Sequence, residues 1–220
     1  MECRQVSIRA ACPAVDATGL LDIYAYYVEN TAITFEYAVP DTLEFEQRIK
    51  TTLGSYPWLV AELSGHLVGY AYAGRFKARD AYAWAVETSI YVQHGCRQSG
   101  LGRCLYAALE NVLRRQHVLN CNACITWSET EDARLTHGSV RFHEKAGYAM
   151  VGTFRRCGYK FDKWYDMLWM EKHIGDHVAP PATFVPFRDL PEDEVRRLVL
   201  ECRGKSARTV ARTAEDRKTY

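Results

Sequence analysis

One acidic residue and one glycine-bearing turn have the types and spacing from which chemistry can be built. Both lie in the stretch Glu87-Thr-Ser-Ile-Tyr-Val-Gln-His-Gly-Cys-Arg97-Gln-Ser-Gly100-Leu-Gly102-Arg-Cys-Leu-Tyr106. Ile90 and Val92 alternate with Ser89 and Tyr91, which predicts a strand. From Leu101 the apolar residues step at helical spacing through Leu105, Leu109 and Val112. A turn with two glycines between a strand and a helix gathers backbone N–H groups into one concavity. The helix start behind it adds unpaired donors and the positive end of a dipole. That combination suits a phosphate or pyrophosphate. The turn lacks the Lys-Ser/Thr of a nucleotide P-loop and the third glycine of a dinucleotide fingerprint. Taken alone it also fits two glycines that merely permit the chain to turn.

Glu87 stands in an apolar strand, Ala-Val-Glu-Thr-Ser-Ile, on the face opposite Val86. A carboxylate there is paired, solvated or functional. His143, in Phe142-His143-Glu144, is the second side chain able to move a proton near neutral pH. A capping or surface histidine is the alternative reading. Eight cysteines are scattered along the chain. Cys121-Asn-Ala-Cys124 has no second pair at matching spacing and reads as strand, so reduced, packed thiols are expected and no metal.

The elements that position these groups follow from the pattern along the chain. The 220 residues, 48% hydrophobic, suffice for a core and a short appendage. A formal net charge of +1 provides no basic field to recruit nucleic acid or an anionic membrane. No apolar run approaches the ~18 residues that span a bilayer, and the first residues carry no apolar signal core, so a cytoplasmic protein is expected. A strand is expected over 4–10 and a helix from Pro13 through Leu20, Ile23, Tyr24 and Tyr27. A short extended piece is expected over 31–37. Asp41 with Glu44 opens a helix carrying Leu43 and Ile49. Trp58–Leu63 and Leu67–Ala73 form a hairpin about Ser64-Gly65. A charged loop, 75–80, leads to a central strand over 82–92. The helix over 102–115 and a strand over 120–127 complete a crossover, making the two strands parallel neighbours. A polar loop, 128–138, precedes a short helix from Ser139 to Ala146, ended by Gly147. Strands are expected near 149–155 and 164–171, with a turn from Cys157 to Trp164 between them. Beyond residue 174 the composition changes, to prolines, a helix over 191–202 and a charged tail. The fold class is α/β (α+β): a mixed sheet with helices on both faces.

Arg97-x-x-Gly100-x-Gly102 after a strand resembles the acyl-CoA motif of the GCN5-related N-acetyltransferases (GNAT). The similarity extends over residues 4–172. Several segments resemble the phosphinothricin and methionine sulfoximine acetyltransferase group, among them Asn30-Thr-Ala-Ile-Thr-Phe35-Glu, Tyr56-Pro-Trp, Phe76-Lys-Ala-Arg79-Asp-Ala-Tyr82, Ser139-Val-Arg-Phe-His143-Glu-Lys-Ala-Gly147 and Gly158-Tyr-Lys-Phe-Asp-Lys-Trp. Two departures stand out. A longer polar loop, 128–138, replaces the Leu-Pro-Asn that the group carries before the serine aligned with Ser139, and the segment 175–220 has no counterpart.

The resemblance implies two parallel strands that splay apart and a CoA thioester lying in the gap. Acetyl-CoA would be the co-substrate, a small amino acid or analogue the acceptor, and a homodimer the assembly. It assigns Arg97, Gln98, Ser99, Gly100, Leu101, Gly102 and Arg103 to the pyrophosphate, backbone donors at Ile90, Tyr91 and Val92 to the thioester carbonyl, and Ser139 to the pantetheine side. Glu87 would take the amine proton and His143 would protonate the leaving thiolate. Arg79 would clamp an acceptor carboxylate, with Phe35, Tyr159 and Trp164 around it. On the residues alone, Arg79 also reads as surface and Phe35 as core. Cys96 and Cys104 lie near the turn, but nothing obliges an acyl-cysteine intermediate. Rival functions are a GNAT acting on a polyamine, an aminoglycoside or a protein N-terminus, and a non-catalytic acyl-CoA-binding regulator.

Overall fold

A computed structural model describes residues 6–96 and 100–200. The glycine turn's Arg97, Gln98 and Ser99, the first residues of the expected N-terminal strand and the charged tail lie outside them. Seven strands form one sheet: β1 (Val6–Ala10), β2 (Trp58–Leu63), β3 (His66–Arg75), β4 (Ala85–Val92), β5 (Asn120–Trp127), β6 (Ala149–Lys160) and β7 (Lys163–His173), in the order β1-β2-β3-β4-β5-β7-β6. Neighbours are antiparallel except β4 and β5, the parallel pair joined by α3 (Leu101–Arg115).

Strand periodicity divides the sheet into two faces. Trp58, Val60 and Tyr70 point to a layer made by α1 (Pro13–Asn30) and α2 (Thr42–Leu53), where Leu20, Tyr24, Tyr27, Phe45 and Ile49 are buried. Leu59, Ala61, Ala71 and Val86 point to the other layer, where Leu105, Leu109, Val112 and Leu113 of α3 bury the helical stripe read from the sequence. α4 (Gly138–Lys145) sits in this second layer through Val140 and Phe142, and ends at Gly147 with φ +92°.

Caps and ions fix the helix ends. Asp16 accepts from Cys12 N at 2.7 Å and pairs with Arg9 at 2.7 Å, anchoring the start of α1 to β1. Asp41 accepts from Glu44 N at 2.8 Å, the cap expected of it. Leu43, expected on the apolar face of α2, is 75% exposed; Phe45 and Ile49 supply that face instead.

Past β7 the chain folds back over α3. Gln116 donates to Ser55 O and Val185 O, both at 2.8 Å, and Trp84 Nε1 donates to Ala182 O at 2.7 Å. Leu190 joins the α3 core with Val195 and Val199 of α5 (Glu192–Leu200).

Three expectations require correction. Residues 31–37 form no strand; the segment bends, and the Lys160 ammonium rather than a neighbouring strand takes the carbonyls of Thr31 and Thr34. The central strand starts at Ala85, because Asp80–Tyr82 coil into a 3-10 turn. The expected turn between the last two strands is a continuation of β6. A bulge between Phe154 and Gly158, with Arg156 at φ +49°, absorbs the loop-like residues. The reversal itself needs only Phe161 and Asp162, both at positive φ, as in a two-residue hairpin.

Candidate active site at the forked strands

The parallel ladder between β4 and β5 is three residues long. Ala85 pairs with Asn120, Val86 with Cys121 and Glu87 with Asn122; beyond these, both strands run on unpaired with each other. The expected fork is therefore present, and Glu87 is the last residue before it opens.

Side chains occupy the crotch of the fork. Asn122 Nδ2 donates to Val86 O at 3.1 Å, and Thr88 Oγ1 donates to Asn122 O at 3.2 Å. Thr88 Oγ1 is also 3.1 Å from Tyr148 Oη and 3.3 Å from Tyr106 Oη. These bonds replace the ladder where the strands part, so buried polar groups there keep partners.

The register shows which backbone groups face the gap. Gln93 N donates to Val68 O, so residues 93, 91, 89 and 87 exchange hydrogen bonds with β3. Residues 88, 90 and 92 turn their peptide groups toward β5. Of the three expected carbonyl-polarising positions, Tyr91 is thus directed at β3, and its ring packs against Tyr24 and Tyr27. Val92 is engaged by Tyr27, whose hydroxyl donates to Val92 O at 2.5 Å and lies 3.2 Å from Val92 N. Ile90 N–H faces the gap where the ladder with β5 has ended.

Gly100, with φ +84°, caps the N-terminus of α3, and Cys104 N closes the first turn on its carbonyl. Leu101 is buried, whereas Arg103 stands exposed on that turn. Gly102 is closely packed: a Cβ there would lie 3.0 Å from the Phe142 ring and 3.4 Å from Ile90 Cδ1, so these side chains would have to give way by a few tenths of an ångström. The helix start thus sits wedged between β4 and α4, with its positive end beside the gap. Ser139, half-buried at the start of α4, offers its carbonyl to His143.

Glu87 is half-buried on the α1/α2 face. Burial raises its pKa above the usual carboxylate value, and nearby Lys77 partly opposes that. Tyr72, hydrogen-bonded to Ser89, lies in the field of Glu87 and of Glu36. The register puts Cys124 and Trp169 on the same face, and burial pushes the Cys124 and Cys121 thiols up to about 12, as expected of packed cysteines. Lys77 reaches over this face, with Nζ 5.5 Å from the Trp169 ring centroid and 4.9 Å from that of Phe76. Arg79 is exposed at the start of the 3-10 turn. Lys77, read as solvated surface, is exposed, and its charge still acts on Glu87; Arg79, read as a possible clamp, is exposed as well.

His143 is 4% exposed. Its Nδ1 lies 2.8 Å from the Ser139 carbonyl, which can only accept, so Nδ1 carries the proton. Nε2 accepts from the Tyr106 hydroxyl at 2.9 Å. Burial brings the pKa of the imidazole down to about 4. This is a neutral ring with both nitrogens engaged, a different situation from that of an acid facing a leaving group.

Phe35 lies against Gly158 and is tilted toward Tyr165 at 6.2 Å between centroids. Tyr165, like Trp169, shares the face of Glu87. Tyr159 and Trp164 are paired to each other on the opposite face of the hairpin, 42% and 58% exposed. They do not close a pocket over Glu87 within one chain, because side chains on a strand alternate and Gly158 and Tyr165 hold the inward positions.

Residues 8–169 match the family model described as an acetyltransferase (GNAT) domain. The chain is similar to a phosphinothricin N-acetyltransferase of Streptomyces viridochromogenes, 36% identical over 84% of this chain and 96% of that protein. It is also similar to an L-methionine sulfoximine/L-methionine sulfone acetyltransferase of Salmonella typhimurium, 31% identical over 80% of this chain and 99% of that one. Among solved structures, a phosphinothricin acetyltransferase from Sinorhizobium meliloti in complex with AcCoA superposes with a TM-score of 0.73, at 29% identity, covering 84% of this chain and 96% of that one.

Proposed function

Because the chain belongs to the acetyltransferase (GNAT) family, we propose that it transfers acetyl from acetyl-CoA to the α-amine of a small amino acid or analogue of the phosphinothricin or methionine sulfoximine kind. One observation carries the reading: the ladder between the parallel strands stops at Glu87, which sets a carboxylate of raised pKa at the mouth of a gap with an open backbone edge.

The residues suit the carrier. The α3 N-terminus at Gly100, Leu101, Gly102 and Arg103 suits its pyrophosphate, and the gap edge at Ile90 suits an amide-bearing arm or a developing oxyanion. One such donor is worth roughly 3–4 kcal/mol when it faces a transition-state charge. An amine with a pKa near ~8 is mostly charged at neutral pH and must lose a proton to attack. Glu87, directly or through water, takes that proton. The nitrogen then bonds to the acetyl carbon and gives up its second proton, the carbon–sulfur bond breaks, and CoA leaves with the electron pair and takes that proton, directly or through water, to leave as the thiol. Attack is direct, within a ternary complex. His143 contributes by holding Tyr106 and, through it, Thr88 at the fork. Lys77 with Arg79 supplies positive charge for an acceptor carboxylate, and Phe35 walls the acceptor side.

Two further parts of the reading concern assembly and location. The twelve-residue β6 is an open edge with Met150, Val151 and Phe154 about 60% exposed, which supports burial against a second copy. Cys12, Cys104, Cys121, Cys124 and Cys157 are free thiols, which suits a reducing cytoplasm. Among the described residues no helix is long and apolar enough to cross a membrane.

A thiol-release assay with acetyl-CoA against amino acids, phosphinothricin and methionine sulfoximine tests the reaction. Glu87→Gln should lose about 10²–10⁴-fold in kcat while CoA affinity stays unchanged. Unaltered turnover in that variant removes Glu87 from the base role.

A further inference from the structure

The loop that carries Phe35 is held by a buried cation. Lys160, in β6, is 2% exposed, and its ammonium donates to Val28 O at 2.7 Å, Thr31 O at 3.0 Å and Thr34 O at 2.8 Å. Those three bonds use all three ammonium hydrogens. Val28 lies in the last turn of α1, where the carbonyl end of the helix dipole favours a cation. No carboxylate among the described residues pairs with the ammonium, although Glu36 contributes a favourable field. A buried lysine held by three carbonyls and the Phe161 ring, 5.0 Å from its Nζ, is expensive to keep, and a leucine would fill similar space.

What the ammonium organises is the acceptor side of the site. Two of its three acceptors, Thr31 and Thr34, bracket Ala32 and Ile33, and Phe35 follows directly. Gly158, two residues before Lys160 on the same face of β6, supplies the bare surface on which the Phe35 ring rests. The loop is held from its other side by residues of the 128–138 segment. Ala32 N donates to Arg134 O at 3.0 Å, the Arg134 guanidinium lies 4.3 Å over the Phe161 ring, and Leu135 is buried with Ala32 and Tyr165. Thr34 Oγ1 meets Tyr24 Oη at 2.8 Å, which ties the loop to the aromatic cluster beneath Tyr91.

We propose that Lys160 is a positioning residue for acceptor recognition: by gathering the carbonyls of Val28, Thr31 and Thr34 it holds the 31–36 loop against β6 and so sets where Phe35 stands over the acceptor cavity. Its effect falls on the amine substrate and spares the carrier, because the carrier's elements, β4, β5 and the start of α3, make no bond to this ammonium. The proposal rests on the acetyl-transfer reading above.

The test is a double-mutant cycle in the full chain, with Lys160→Met, Phe35→Ala and the pair, reading KM for each substrate and CoA affinity by calorimetry. Lys160→Met should raise the acceptor KM about tenfold or more while the acetyl-CoA KM stays within about twofold. If Lys160 acts through the loop, the pair should cost far less than the product of the single effects. Independent, multiplying effects, or an acceptor KM unmoved in Lys160→Met, overturn the proposal. Failure of both Lys160→Met and Lys160→Gln to fold also overturns it, since the ammonium would then serve folding alone. A wild-type chain that acetylates no amino acid would instead sink the functional reading on which the proposal stands.

Discussion

The buried imidazole of His143 makes protein stability depend on pH in a calculable way. Folding takes its pKa from about 6.5 down to about 4. At about 1.4 kcal/mol for each pKa unit, that difference is worth roughly 3 kcal/mol. The folded-state value is the lower one, so between pH 6.5 and 4 the unfolded chain binds the extra proton. Stability from this group is therefore complete above about pH 6.5, falls as the pH is lowered, and levels off below about 4. Between pH 6.5 and 5 the loss should be about 2 kcal/mol. Urea unfolding of the wild type and of His143→Asn over pH 5–7.5 isolates it, since all other groups titrate in both chains. The variant will start less stable, having lost the Tyr106 bond, but it is the slope that carries the information. The wild type should show the steeper decline, and the His143 ring proton in an NMR titration should not move until well below pH 6. Parallel stability profiles, or a ring titrating near 6.5, would refute the claim that the imidazole is sealed and neutral. The same result would restore His143 as a candidate acid for the thiolate.

Three other outcomes follow from the geometry. Lys77→Met removes a cation that lowers the Glu87 pKa, so the acid limb of the kcat/KM–pH profile should move to higher pH; an unmoved limb would separate Lys77 from the site. Gly158→Ala places a Cβ 1.9 Å from the Phe35 ring, which must shift. We expect a loss of about 1–3 kcal/mol and a raised acceptor KM, by urea midpoint and by steady-state kinetics. Glu110→Gln leaves Lys172 without the carboxylate it meets at 2.7 and 2.8 Å, and should cost about 3 kcal/mol without changing the KM for acetyl-CoA.

The sequence was most informative where local patterns determine structure. Alternation at Ile90 and Val92, glycines at 100 and 102 and the leucine stripe of α3 all concern neighbours in the chain, and the structure follows them closely. The parallel pairing and the position of Glu87 followed from the crossover they define. Decisions made by distant contacts were not legible. Thr31–Tyr37 has strand-forming residues, yet a lysine more than a hundred residues away takes its carbonyls. Tyr159 and Trp164 look like pocket aromatics, but the bulge after Phe154 and the two-residue turn place them on the opposite face from Gly158 and Tyr165. Lys160 sits in a segment that reads as a turn, and only the packed hairpin shows that it is an interior strand position.

The early end of the β4–β5 ladder has one more consequence. Where those strands come apart, the sheet acts as a window frame: on the proposed function, the carrier would be gripped from the α3 side and the amine would approach from the α1 side, through separate vestibules. The two doorways share little beyond the frame itself. Changes of repertoire on the amine side can therefore accumulate in the 31–36 and 76–80 loops while the grip on the thioester stays as it was.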